Sequence, residues 1–91
     1  MSAPPATRDE LRARALALDA ARGALEARLA AIMTELGAAA HGALVVDGAP
    51  RADVDVHAAL ILRHEAARLR TDLKENEAAR EAALLAALAA P

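Results

Sequence analysis

The side chains whose types and spacing could do chemistry lie close together in this sequence. They are the aspartates Asp53 and Asp55, the histidines His57 and His64, and the arginines Arg51 and Arg63. A carboxylate pair can serve general acid–base catalysis only if both groups reach one site. Residues two apart on a helix point to different faces, so Asp53 and Asp55 would not share a proton. They suit a helix start instead, where a carboxylate accepts from free backbone N–H groups and offsets the helix dipole. His57 and His64 are seven apart and share a helix face, but a transition-metal site normally adds a third ligand. None is indicated here, and both read as exposed or half-buried helix residues. Cysteine is absent and the sole serine is Ser2, so no nucleophile is in view. The Gly42–Gly48 region lacks the spacing and the Lys-Ser/Thr of a phosphate loop. These residues therefore point to a chain that is not an enzyme and that takes no metal and no cofactor. Arg51 could pair with Asp53 or Asp55, and arginine is also a frequent polar anchor in protein interfaces.

The elements that position these residues follow from composition. The chain has 91 residues, no aromatic residue and a net charge of −2. Any core must be built from Leu, Ile, Val, Met and Ala, and such a core is thin. There is no basic footprint for nucleic acid. The apolar end, residues 82–90, is about half of what a bilayer crossing needs, so no membrane contact is expected. Residues 1–6 are expected to be disordered, and too poor in apolar bulk for a signal peptide. Thr7 and Glu10 have capping-box spacing. Leu11, Leu18, Leu25 and Ile32 recur every seventh residue, with Leu29 and Leu36 four after Leu25 and Ile32, and with Ala15 and Arg22 as weaker members. This seam predicts a helix over 7–36, ended at Gly37. A second helix is predicted over 53–89. Its apolar stripe runs through Ala59, Leu62, Ala66, Leu69 and Leu73, breaks at Asn76 and Arg80, and resumes at Ala83, Leu84 and Leu88. It is long enough that its end should overhang the first helix or fray. Asn76 reads equally as a register device or as a residue facing solvent beyond the first helix.

Between them, residues 37–52 form a loop. Asp47-Gly48 is a turn signal and Pro50 a stop. Leu44, Val45 and Val46 make a short apolar run. Val45 and Val46 read as a plug closing the hairpin in preference to a partner-binding patch, because apolar groups facing outward lose their burial energy. Two long helices joined by so short a segment fold back as an antiparallel hairpin. The fold expected is all-α: a long antiparallel two-helix hairpin, coiled-coil-like, with an ordered connecting loop.

The same central stretch carries a family resemblance. Ala43-Leu44-Val45, Asp47-Gly48 and Pro50-Arg51-Ala52-Asp53-Val54-Asp55-Val56 resemble the N-terminal domain of proteasome non-ATPase regulatory subunit 9, with Arg63, Leu69, Thr71-Asp72 and Lys74 at matching offsets. The resemblance departs from the family pattern at Ala49, Ala52, Leu60 and Thr71. A serine is usual at position 52, where it could cap the second helix with Asp55 completing the box.

That family is a chaperone for assembly of the proteasome's regulatory particle. The resemblance implies that the chain binds the C-terminal domain of one ATPase subunit of the base and sterically delays its docking on the core particle. An arginine and two acids after the proline exceed the one acid that capping needs, so partner contacts are expected at Pro50, Arg51, Asp53 and Asp55, with Arg63 about two turns on, and the chain is expected to be a monomer when free. The cytoplasm is the expected location, with access to the nucleus. In the family a PDZ domain follows; nothing in these residues resembles one, which implies a domain excerpt or a shortened member. The alternative is a structural coiled-coil module that pairs with itself into a four-helix bundle.

Overall fold

A capping box starts the first helix. In the computed structural model, which describes residues 4–53 and 55–91, Thr7 Oγ1 accepts from the Glu10 N–H at 3.1 Å and Glu10 Oε1 accepts from the Thr7 N–H at 3.4 Å. The helix, α1, runs Arg8–Leu36. It stops at Gly37, whose φ of 52° suits a residue without Cβ and whose N–H donates to the Met33 carbonyl. A 3-10 turn, Gly37–Ala40, follows. Two short strands come next, β1 (Val45–Val46) and β2 (Ala49–Pro50), and then the second helix, α2, Val56–Ala89. The fold is the expected all-α hairpin, a rod measuring 62 × 25 × 18 Å. The disorder expected of residues 1–6 falls partly on residues 1–3, which lie outside the described residues, as does Val54 of the central motif.

The second helix starts three residues later than position 53. Asp55 is its N-cap, with Oδ1 accepting from the Ala58 N–H at 3.0 Å. Asp53 is drawn off by Arg51 and takes no part in the cap. Position 52 therefore lies outside the helix start, and a serine there would not cap α2.

The two helices pack along one heptad seam. On α1 the seam is Leu11, Ala15, Leu18, Arg22, Leu25, Leu29, Ile32 and Leu36, all buried or half-buried, and Ile32 is fully enclosed. On α2 it is Ala59, Leu62, Ala66, Leu69, Leu73, Asn76, Arg80, Ala83 and Ala87. The spacing alternates three and four without interruption, so the seam passes through Asn76 and Arg80 where a break was expected. It ends on Ala87; Leu84 and Leu88 face outward, Leu88 being 81 % exposed. Asn76 is only 8 % exposed. Its Nδ2 donates to the Leu18 carbonyl at 2.9 Å, which sets it against α1, not beyond it.

The expected overhang of α2 does not occur. The 3-10 turn carries the first arm on past α1, so that arm and α2 each come to about 51 Å. The ends meet, and Arg8 Nη2 donates to the Ala90 carbonyl at 2.7 Å.

Ile32→Ala is expected to destabilise by about 2–5 kcal/mol, while Leu16→Ala, at a position 72 % exposed, changes stability by less than about 0.5. Asp55→Ala should cost about 1 kcal/mol and Ala52→Ser should move the midpoint little, within about 0.5 kcal/mol. Urea melts followed by circular dichroism check both pairs.

Candidate functional site

The hinge between the helices is built on a two-residue turn. Asp47 and Gly48 both take positive φ, 52° and 77°. That is the mirror-image turn whose twist suits a tight hairpin, and an Asp-Gly pair adopts it readily. Val45 pairs with Pro50 and Val46 with Ala49. Pro50 cannot donate, and the Arg51 N–H closes the hairpin on the Leu44 carbonyl at 2.9 Å.

Within the apolar run the roles differ from those expected. Leu44 is the plug: it is buried in the cluster formed by Ile32, Leu36, Ala39, Ala59, Ala66 and Leu69. Val45 and Val46 are each 53 % exposed. A two-stranded hairpin standing off the rod meets solvent on both faces, so neither side of the strand hides a side chain.

Two arginines tie down the segment that leads into this hairpin. Arg63, part-buried on α2, donates from Nε to the Ala39 carbonyl at 2.8 Å and from Nη2 to the Gly42 carbonyl at 2.7 Å. The Ala39 carbonyl belongs to the end of the 3-10 turn and the Gly42 carbonyl lies two residues beyond it, so neither has a helical partner ahead. The planar fork of arginine reaches both at once, which a lysine could not. Arg51 makes longer contacts, 3.4–3.5 Å, to the carbonyls of Ala38 and His41. It also holds Asp53 by a two-point pair, Nε–Oδ1 at 3.2 Å and Nη2–Oδ2 at 3.0 Å. The hydrogen bonds from Arg51, with a backbone bond in support, hold the Asp53 carboxyl below the usual carboxylate range.

Arg51, Asp53 and Arg63 thus gather around residues 38–42, with Pro50 exposed on the hairpin beside them. Asp55 turns to its helix. The cations face inward and the acids outward. Glu35, on the last turn of α1, joins Asp53 and Asp55 in lining a shallow depression of about 310 Å³ on the hinge. Sequence reasoning missed Glu35, whose only signal is its place one residue before the end of α1. His57 and His64 are both exposed. Among the described residues no group of three or more His, Cys, Asp or Glu is placed to hold a metal, and no helix is long and apolar enough to cross a membrane.

The elements define an antiparallel helical-hairpin domain with an ordered, doubly braced hinge. The family model of the Nas2 N-terminal domain matches residues 15–87, and the chain belongs to that family. This is the proteasome assembly chaperone family that the central stretch resembles. The match takes in most of both helices and the whole hinge. No curated protein and no solved structure matches the chain.

Arg63→Ala leaves two carbonyls without their donor and is expected to cost about 1–3 kcal/mol, against less than about 1 for Arg51→Ala with its longer, more exposed contacts. Urea melts measure both. A depressed carboxyl adds stability that is present above its unfolded value and lost as pH falls through its folded value. The hinge should therefore lose the Asp53 contribution below about pH 4. Asp53→Asn is expected to flatten that acid limb, read from urea midpoints taken at falling pH.

Proposed function

We propose that this domain acts in assembly of the proteasome's regulatory particle by binding the C-terminal domain of one base ATPase subunit and sterically delaying that subunit's docking on the core particle. Membership of the Nas2 N-terminal domain family supports the assembly role. The observation that carries the binding reading is the hinge. Exposing Val45 and Val46 forgoes their burial, and the segment leading into their hairpin is tied down by two arginines, which lowers the ordering cost of presenting them.

The site proposed is the hinge face, with Pro50, Arg51, Asp53, Asp55 and Arg63 in two roles. Pro50 and the valines give apolar contact, and Asp53, Asp55 and Glu35 give an acidic rim that suits a basic surface on the partner. Arg51 and Arg63 act from behind by holding the loop that presents them. The action is steric and non-enzymatic, carried out by a monomer in cytoplasm and nucleus. A rod 62 Å long, fixed by its hinge to one subunit, reaches well past the contact it makes.

Calorimetric titration against each of the six base ATPase C-terminal domains tests the assignment, and binding to one of them well above the other five is expected. Val46→Asp should weaken that binding by about 1–2 kcal/mol or more, with helicity by circular dichroism unchanged. Arg51→Glu should weaken it as well, by loosening the hinge and releasing Asp53 from its place. Equal, weak binding to all six domains would refute the partner, and Val46→Asp binding like the parent would refute the face.

A further inference from the structure

The end of the rod farthest from the hinge carries a second exposed apolar surface. Leu16 on α1 and Leu84 and Leu88 on α2 lie off the seam on the same side, 72 %, 44 % and 81 % exposed. They line two adjoining depressions of about 420 and 390 Å³ that share Arg12 and Leu84. The rim is arginine: Arg8 and Arg12 border one depression, Arg12 and Arg80 the other, against the single carboxylate of Asp19. Arg12 makes no ion pair or hydrogen bond among the described residues. Arg80 reaches Asp19 only at 3.5 Å, and its Nε is buried without a partner. A chain of net charge −2 thus sets three arginines against one carboxylate around one leucine-lined groove, with Arg8 held by the Ala90 carbonyl.

We infer that this groove is a docking site for an acidic amphipathic helix of a partner protein, laid between α1 and α2 at the rod's free end. A groove flanked by two helices accepts a third by the ordinary ridge packing of helices, with apolar anchors every three and four residues entering the leucines. Glutamates or aspartates flanking those anchors meet Arg8, Arg12 and Arg80. A second copy of this chain fits poorly, because face-to-face pairing would bring two arginine rims together. The inference is independent of the hinge and holds whatever the hinge binds. Together with the hinge site proposed above, it makes the domain bivalent, with sites at opposite ends of the rod.

The test uses a fluorescein-labelled synthetic helix of about five turns, with leucines at three- and four-residue spacing and glutamates along both flanks, and a twin with lysines in place of the glutamates. Anisotropy titrations on the full chain should show binding to the acidic peptide, weakening as salt rises, and at least about tenfold poorer binding to the basic one. Leu88→Ser should weaken the acidic peptide by about tenfold. Arg12→Glu should shift preference toward the basic twin. Both positions are exposed, and unchanged circular dichroism would confirm the fold. The hinge variant Val46→Asp should leave the titration unaltered, which keeps this result separate from that of the hinge. No binding up to about 100 μM, equal binding of both peptides, or loss of binding only in the hinge variant would each overturn the inference. So would a dimer in sedimentation that Leu88→Ser dissolves, or binding to phosphatidylserine-containing vesicles without binding to the peptide.

Discussion

The uninterrupted heptad seam between α1 and α2 is the constraint on which the rest of the molecule depends. Without aromatic residues, burial has to come from many small contacts held in one register. The fully buried positions of α2 are mostly alanine: Ala59, Ala66, Ala83 and Ala87. The bulk is supplied from α1, by Leu11, Ile32 and Leu36. Turning either helix by one residue swings its buried positions away from the partner and exposes the bulk. Cross-links along the rod agree on the same register: Arg8 to Ala90, Asn76 to Leu18, Arg28 to Glu65 at 3.0 Å, and Arg63 to Ala39. Each exposed tie adds little. Their agreement matters more, because any other register would forfeit all of them together.

The hinge inherits its geometry from that register. Arg63 stands on α2 where the first arm ends, so its guanidinium meets the carbonyls of Ala39 and Gly42. Leu44 enters the core beside Ile32 and Leu36 and anchors the first strand. With the strand anchored and the carbonyls held, Asp47 and Gly48 turn the chain back, and the valines have only solvent to face. Opposite charges are sorted by reach: the long arginine side chains fold inward to the backbone, while the short carboxylates stay outside.

Much of this was legible in the residues. The capping box at Thr7, the α1 seam, the glycine stop at 37 and the Asp-Gly turn each rest on local chemistry, and each stands in the structure. The start of α2 was misplaced because Asp53 and Asp55 are equivalent as caps until Arg51 draws one of them away. The α2 seam looked broken because Asn76 and Arg80 are polar, and because the alanines around them carry too little contrast to show which face is buried. Leu84 and Leu88 drew attention by size, while the smaller Ala87 holds the seam position. At the hinge, the pairing of Arg51 with an aspartate just after it was legible. The inward direction of both arginines was not, since a guanidinium can reach solvent or backbone and only the fold around it decides. Glu35 joins the site through the fold-back of the chain, which leaves no mark in its own neighbourhood.

Asn76 has a consequence for how the molecule opens. The contiguous buried cluster spans Ile32 to Leu44 on one arm and Ala59 to Leu69 on the other. It lies wholly on the hinge side of the seam positions Leu18, Arg22, Asn76 and Arg80, where Asn76 donates to the Leu18 carbonyl. That stretch of the seam contributes hydrogen bonding with little apolar burial, and the Asn76 Oδ1 in it is buried without a partner. It divides the hairpin into two units of unequal strength. The free end, closed by Leu11, Ala15, Ala83 and Ala87, can separate without dissolving the hinge-side cluster. Amide protons near the chain ends should therefore exchange through local unzipping, and those around Ile32 and Ala66 only through global unfolding. The rod is graded along its length: firm where the loop is presented, and compliant where the termini meet.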